Sequence, residues 1–540
     1  MEGIIPLAPS RRKRFYEPVI LLDSLRAVYR KENKVTEPDL EATAGKSPKQ
    51  IFFCFVNKLG QICDNQPSQP LGKTVTSFVL LDSGTIEYRF ASNQRDGQEL
   101  NKVKKYIVDI LNILGGVDDE VVNDKTLMAP IFSNILRMVL AFNRPRIEKY
   151  IGALCDQNNR LMHCIDTSAE EGLGIGKSVS QALRGLQTHI DAAMNTASDN
   201  NDECKTSTTP PPSVVLAVIR AVAHPHYYAV ARHAQELLQE INTHYGPTLE
   251  EYLKQKTRGV DTVEDSPWSE VRHALGRLLS YFIAIKVLIS ARKLWPQIFV
   301  DFEVEWIPST EPSLEPPEIR RNAKGIIDRM GRNRATMEAY QRHANDLQGL
   351  GLDNNIKDRV HHTKFRPIVH AEINLLDSIM RDEAQAYDED EDPPRFFNEA
   401  EFGRYIGSSK PTCMLCHWYF AAHTSGVQCR SSHGNLYYNW RTPDVLETDG
   451  AEADQERNGI IESMIKAIRE ETSRAIKKRT YSRRKHDSRD TPSGILFGTI
   501  RGHDDDFDDL ASRLSRTSLG GTDSSQDTSF SRAGAIIEEE

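Results

Sequence analysis

Apolar residues recur at helical spacing through most of the middle of the chain. KVKKYIVDILNIL, APIFSNILRMVLAF, SVVLAVIRAVAH and SEVRHALGRLLSYFIAIKVLISARKLW each show it, and they predict a helical region over residues 99–355. TSTTPPPS (206–213) and IPSTEPSLEPPE (307–318) read as turns or linkers within it. Two stretches break the helical pattern. KTVTSFVLLDSGTIEYRFASNQ (73–94) alternates on both sides of Asp82-Ser83-Gly84, which predicts a β-hairpin, and KQIFFCFVNKLGQIC (49–63) predicts a helix leading into it. Further on, FRPIVHAEINLLDSIMRD sets Ile373, Leu375, Leu376, Ile379 and Met380 on one helical face, with Pro367 just ahead as a start signal. EFGRYIGSSK has a short strand-like core at Tyr405 and Ile406, and GVQCRSSHGNLYY reads as a strand, a turn at His433–Gly434 and a second strand. Helix, strand, helix, strand in this order suits an α/β three-layer sandwich.

The division expected is an N-terminal segment at 1–47, a helix and hairpin at 48–98, the helical region at 99–355, an α/β core at 356–445, and a tail at 446–540. In the tail, TDGAEADQERNG reads as a polar linker and GIIESMIKAIREETSRAIKKRT as one amphipathic helix. From about residue 485 apolar residues become scarce and disorder is the expectation. RDEAQAYDEDEDPP (381–394), with seven acids and one arginine, reads as a solvated loop.

With 540 residues there is room for two to four domains, or for one domain with large insertions. A net charge of −9 provides no global basic field for bulk nucleic-acid or membrane binding. MEGIIPLAPSRRKRF has cations but no apolar core of a secretory signal, and LLSYFIAIKVLI is interrupted by Lys286 and too short to span a bilayer. The expectation is an intracellular, cytoplasmic protein without a membrane partner, with nuclear entry open through KKRTYSRRK (477–485).

That expectation bears on KPTCMLCHWYF (410–420), where two of the eight cysteines stand three apart. Haem attachment belongs to exported compartments, a thioredoxin-like site needs a βαβ unit at the motif, and an iron–sulfur cluster needs more cysteines than Cys429 nearby. Zinc remains, and zinc needs further ligands. His370 and Glu372 open the helix forty residues upstream, and an H-x-E at one helix start followed by CxxC at another is the zinc deaminase arrangement. Cys413 and Cys416, three apart, share a helix face. His370 supplies the third ligand and leaves one position open, the catalytic pattern rather than the structural one. Glu372 is then the expected acid/base, since a metal lowers the pKa of its bound water toward roughly 7. Cys429 or His433 as a fourth ligand instead gives a closed site, and with it a catalytically inactive zinc-binding interaction module. His433 and Trp440 are candidates for contacting a base, although a core tryptophan is the competing reading. His417 and His423, the exposed pair His361 and His362, and the AHPHYYA run (223–229) read as local packing, loop or turn residues.

HAEINLL followed by SSKPTCMLCHWYF resembles the cytidine deaminase-like superfamily. More narrowly it resembles a branch expanded in fungi, and VQCRSSHGNLYYNWRTP carries that likeness on to about residue 445. The superfamily pattern has proline directly before the first cysteine, whereas Thr412 intervenes here between Pro411 and Cys413. The resemblance implies a cytidine deaminase-like sandwich, Zn2+ as cofactor, and a nucleobase-containing substrate, nucleic acid included. It also implies two antiparallel strands before the H-x-E helix. The hairpin at 73–94 fits that place, which makes the helical region an insertion and puts Asn93 where a substrate-binding asparagine ends the second strand.

Overall fold

The hairpin of residues 76–92 is the centre of a five-stranded sheet that collects strands from four separate parts of the chain. The computed structural model describes residues 3–32, 47–66, 72–150, 267–313, 318–390 and 392–482, with isolated positions between 152 and 160. SVVLAVIRAVAH, TSTTPPPS and AHPHYYA therefore lie outside the described residues.

In chain order the elements that build the site are α1 (Pro9–Val28), α2 (Pro48–Cys63), β1 (Thr76–Asp82), β2 (Ile86–Ser92), α3 (Gly97–Gly115), α4 (Lys125–Phe142), α5 (Pro267–Leu294) and β3 (Phe302–Ile307). After them come α6 (Arg334–Asp346), α7 (Ala371–Glu389), β4 (Tyr405–Ser408), α8 (Met414–Ala422), β5 (Gln428–Cys429) and α9 (Gly450–Lys478). Local chemistry sets the starts. Ser47 with Gln50, and Asp96 with Glu99, form reciprocal capping boxes on α2 and α3, and Asp124 accepts from the first turn of α4. Gly84, at φ 97°, makes the β1–β2 turn.

The sheet order is β3-β2-β1-β4-β5. β1 pairs antiparallel with β2 (Phe78 opposite Phe90) and with β4 (Phe78 opposite Gly407), while β2–β3 and β4–β5 are parallel. Alternation then divides the hairpin. Phe78, Leu80, Tyr88 and Phe90 join one core with α2, α3, α4 and α5, whereas Val79, Leu81 and Ala91 join another with α1, α7, α8 and α9. α2 comes so close to the sheet that a side chain on Gly60 would meet the Thr76 carbonyl at 2.7 Å, and one on Gly407 would meet the Val56 backbone at 2.7 Å. Near the end of α2, Asp64 and Arg146, both 2 % exposed, form a buried ion pair.

Several expectations change. The region 99–355 is not wholly helical: FEVEWI, an alternating run, adds β3 to the sheet edge alongside β2. The acidic run is not a loop up to Glu389 but the end of α7, where Asp382 pairs with Arg89 and Glu383 with Arg404. The second strand after Gly434 does not form. Gly434 turns at φ 72°, but residues 435–438 run irregularly, and only Trp440 makes a bridge, to Ile368. TDGAEADQERNG is no linker, since α9 begins at Gly450 and buries Ile460, Ile461, Met464, Ile465 and Ile468 against α1 and α8. The basic run is ordered through Ser482, with Thr480–Ser482 pairing parallel to Arg30–Glu32; residues 483–485 lie outside the described set. By length and composition α4 passes as a membrane-crossing helix, yet it turns Phe132, Ile135, Leu136, Val139 and Leu140 into the core.

Candidate metal centre

Two helix N-termini converge on one spot. His370 is the N-cap residue of α7 and Cys413 that of α8, with Cys416 in the first turn of α8. α7 lies on β1, β2 and β4, and α8 follows directly from β4, so the sheet holds both starts in register. Thr412, the departure from the superfamily pattern, is fully buried. Its N–H donates to the Ser431 carbonyl and its hydroxyl to the Arg430 carbonyl, tying the start of α8 to the chain after β5.

The sulfurs of Cys413 and Cys416 are 3.3 Å apart, and His370 Nδ1 is 3.6 Å from the first and 3.2 Å from the second. Zinc–sulfur bonds of about 2.3 Å and zinc–nitrogen bonds of about 2.0 Å put tetrahedral donors roughly 3.5–3.8 Å apart, so this trio has close to the required span. Two soft sulfurs and an imidazole nitrogen also form a donor set that suits zinc. Among the described residues, no other group of three or more His, Cys, Asp or Glu places its donor atoms within 4.8 Å of one another. Cys429, paired with Ile406 in β5, and His433 are not in the group.

The electrostatics favour a cation. Burial pushes both thiols up. At Cys413 the hydrogen bond with Cys416 and the neighbouring His370 overcome it and bring the thiol down to about 6. Cys416, beside that developing thiolate and Glu372, goes well up. His370 is lowered by burial, but Cys413 outweighs this and raises it. The Cys416 N–H donates to Cys413 Sγ at 3.4 Å, and both helix dipoles point their positive ends inward, which favours the thiolate form a metal ligand needs.

Glu372 lies in the first turn of α7, 4 % exposed, next to Cys416 and outside the donor trio. Asn93 reaches the same turn, but its carboxamide serves backbone: Oδ1 accepts from the Ala371 N–H at 2.8 Å, and Nδ2 donates to the Gly72 carbonyl at 3.2 Å. It fixes the peptide between His370 and Ala371, one residue before Glu372. His433 is 4 % exposed, and its Nδ1 accepts from the Asn435 N–H. Trp440 departs from the stacking role. It is 0 % exposed, with its ring 5.7 Å from Phe15 and 6.0 Å from Tyr419, and so is a core residue closed to a base. Its neighbour in NLYYNW, Tyr437, takes the outer position instead, half-exposed, 6.3 Å from the His370 ring and edge-on to His433 at 5.8 Å. Sequence reasoning passed over Tyr437. The usable signal was that Tyr437 and Tyr438, adjacent in the chain, cannot both face the core. Arg26 of α1 holds this loop by donating to the Gly434 carbonyl at 3.0 Å, and no local pattern announced that contact.

A mixed five-stranded sheet with helices on both faces fits an α+β deaminase-like fold, and the His/Cys/Cys cluster at two helix starts could hold a metal. The comparison with family models agrees: the family described as OTT_1508_deam-like deaminase matches residues 369–444, which include His370, Glu372, Cys413 and Cys416. No curated protein and no solved structure matches the chain.

Proposed function

We propose that the chain is a zinc-dependent hydrolytic deaminase acting on a nucleobase within a nucleoside, nucleotide or nucleic acid, of the fungal-expanded branch its motifs resemble. The observation that supports this most is the placement of Glu372, in the same turn as His370 yet outside a donor trio that no fourth protein donor completes among the described residues. His370, Cys413 and Cys416 would hold the zinc, which when bound supplies Lewis-acid activation of a water nucleophile. Glu372 takes a proton from the attacking water at a carboxylate oxygen and passes it to the ring nitrogen of the base. As the C–O bond forms and the C–N bond to the exocyclic amine breaks, the second water proton reaches the leaving nitrogen, and ammonia departs. Tyr437 stands where an aromatic face can meet a base. We place the protein inside the cell, in the cytoplasm with nuclear entry open, where reduced thiols suit the site.

Glu372→Gln tests the reading, because the amide keeps the shape but cannot accept the proton. Ammonia release should fall by at least 10²-fold across a panel of bases, nucleosides and single strands, with zinc and fold retained. A variant within a few-fold of full rate contradicts the mechanism. The alternative is a catalytically inactive zinc-binding interaction module, which would want a fourth protein ligand such as Cys429 or His433, and neither is in the donor trio. In that case the unaltered protein carries zinc and releases no ammonia from any member of the panel.

A further inference from the structure

Residues 318–366, which lie between β3 and the start of α7, carry eleven lysines and arginines against six aspartates and glutamates. That is a local excess of +5 in a chain whose net charge is −9. The fold has already engaged most of those acids. Asp328 accepts from Gln341, Glu338 from Arg334, Asp358 from Lys364, and Asp353 from Gln348 and the Ala323 N–H, while His343 stands 3.9 Å from Asp346. Arg329 and Arg359 are matched from α1, by Glu17 and Asp23. Six exposed cations are left over: Arg320, Arg321, Lys324, Arg332, Arg342 and Lys357 have no carboxylate partner among the described residues.

Tertiary packing sets this surplus on the metal side of the sheet. The short helix Ala323–Ile327, α6 and the helix Leu352–Arg359 bury Ile326, Met337, Tyr340 and Ile356 in the same core as α1, α7 and α8. The first and last of them pack on α1, whose Tyr16 hydroxyl donates to the Trp440 carbonyl; Trp440 in turn bridges Ile368, two residues before His370. From Arg359 the chain runs through the loop 361–366 straight to the metal centre. The Arg366 N–H donates to Asn439 Oδ1 at 2.7 Å, and Asn439 Nδ2 donates to the Lys364 carbonyl at 2.9 Å, tying this loop to the one that carries Tyr437. The exposed rings of His361 and His362 lie 4.3 Å apart on it. Surplus cations, an exposed pair of flat rings and the half-exposed Tyr437 thus border the centre on one side.

We propose that this surface binds single-stranded nucleic acid, the cations taking the phosphate backbone and the rings taking bases beside the metal centre. Cations without carboxylate partners attract a backbone of regularly spaced charge, even on a protein that is acidic overall. Flat side chains give unpaired bases a stacking platform, which an acidic peptide or an anionic membrane does not require. A duplex keeps its bases stacked inside and so offers the rings nothing. As substrate recognition this rests on the deaminase reading; as strand binding it does not.

Fluorescence anisotropy of a labelled, mixed-sequence single-stranded oligonucleotide with the full chain tests it, from about 50 to about 200 mM salt. Affinity should fall with a log–log salt slope of about −3 or steeper, at roughly 0.7 per phosphate neutralised. Combining Arg320→Gln, Arg321→Gln and Lys324→Gln should weaken binding about 10-fold or more at the lower salt and flatten the slope by about 2. Arg342→Gln with Lys357→Gln, on other helices, should also weaken it, so that a folding defect in the first variant does not decide the matter. Arg474→Gln, Lys477→Gln and Lys478→Gln together, at exposed positions ending α9, should leave affinity and slope unchanged. No binding by the unaltered chain, undiminished binding in both surface variants, or an equal loss in the α9 variant overturns the surface. Displacement of the strand by phosphatidylserine vesicles or inorganic polyphosphate at equal charge overturns nucleic acid as its ligand. Strand binding with no ammonia released from any strand or nucleoside sinks the deaminase reading and leaves the surface standing; ammonia release from nucleosides without strand binding does the reverse.

Discussion

The two faces of the sheet solve different problems. On one, Phe52, Phe55, Phe78, Tyr88, Phe90 and Phe299 pack ring against ring, drawn from α2, the hairpin and the segment before β3. On the other, apolar residues of α7 and α8 pack down so that two helix N-termini are left pointing at one another with His370, Cys413 and Cys416 between them. Apolar and aromatic packing dominates the first face, with the Asp64–Arg146 ion pair buried at its edge. The second also needs polar groups set to within a few tenths of an ångström, and hydrogen bonds such as Asn93 to Ala371 and Thr412 to Arg430 do that. A packed face tolerates volume-conserving change, whereas a face carrying chemistry is sensitive to the loss of single bonds.

The comparison breaks first at Phe90, fully buried and stacked on Phe78 at 5.2 Å. Phe90→Ala should cost about 3–5 kcal/mol in chemical denaturation, enough to unfold both faces together, metal centre included.

A smaller loss, about 3 kcal/mol, should follow Asp64→Asn, which leaves Arg146 facing a neutral partner in the interior. Burial pushes the Asp64 carboxyl up, but Arg146 and then Lys410, with the hydrogen bonds from Arg146 and Thr74, outweigh it and hold it below 3.8. A lowered folded-state value means the contribution is complete above the unfolded carboxyl range and is lost as pH falls through the folded value. The unaltered protein should therefore lose stability in acid below about pH 4. Asp64→Asn should flatten that slope, and an unchanged slope counts against this ion pair.

The smallest effect sharpens the contrast. Asn93→Ala removes the acceptor for the buried Ala371 N–H and should cost about 1–3 kcal/mol. Unlike a change of equal cost on the aromatic face, it should also weaken zinc binding in a competition assay with a chromogenic chelator. Equal zinc affinity in the folded variant would make Asn93 a structural cap alone.

These faces were unequally legible in sequence. The hairpin announced itself because alternation with period two ends on a glycine that takes positive φ, and the trio because three-residue spacing at a helix start leaves few other chemistries. β3 escaped: six residues of alternation between helical and proline-rich stretches carry little signal until β2 offers them an edge. The first turns of α9 look like linker because GAEADQERNG has almost no apolar residue; their helicity comes from continuing a helix packed on α1 and α8. Trp440 and Tyr437 lie three apart in an irregular loop with no periodicity to rank them, so only the fold shows Trp440 inside and Tyr437 at the centre's edge.

Zinc content, measured on the purified full chain and on single cysteine variants, tests the centre most directly. About one zinc per chain is expected for the unaltered protein and for Cys429→Ser, and almost none for Cys416→Ser, with circular dichroism confirming that each remains folded. Undiminished zinc in Cys416→Ser, or equal loss in Cys429→Ser, would contradict a centre built from His370, Cys413 and Cys416.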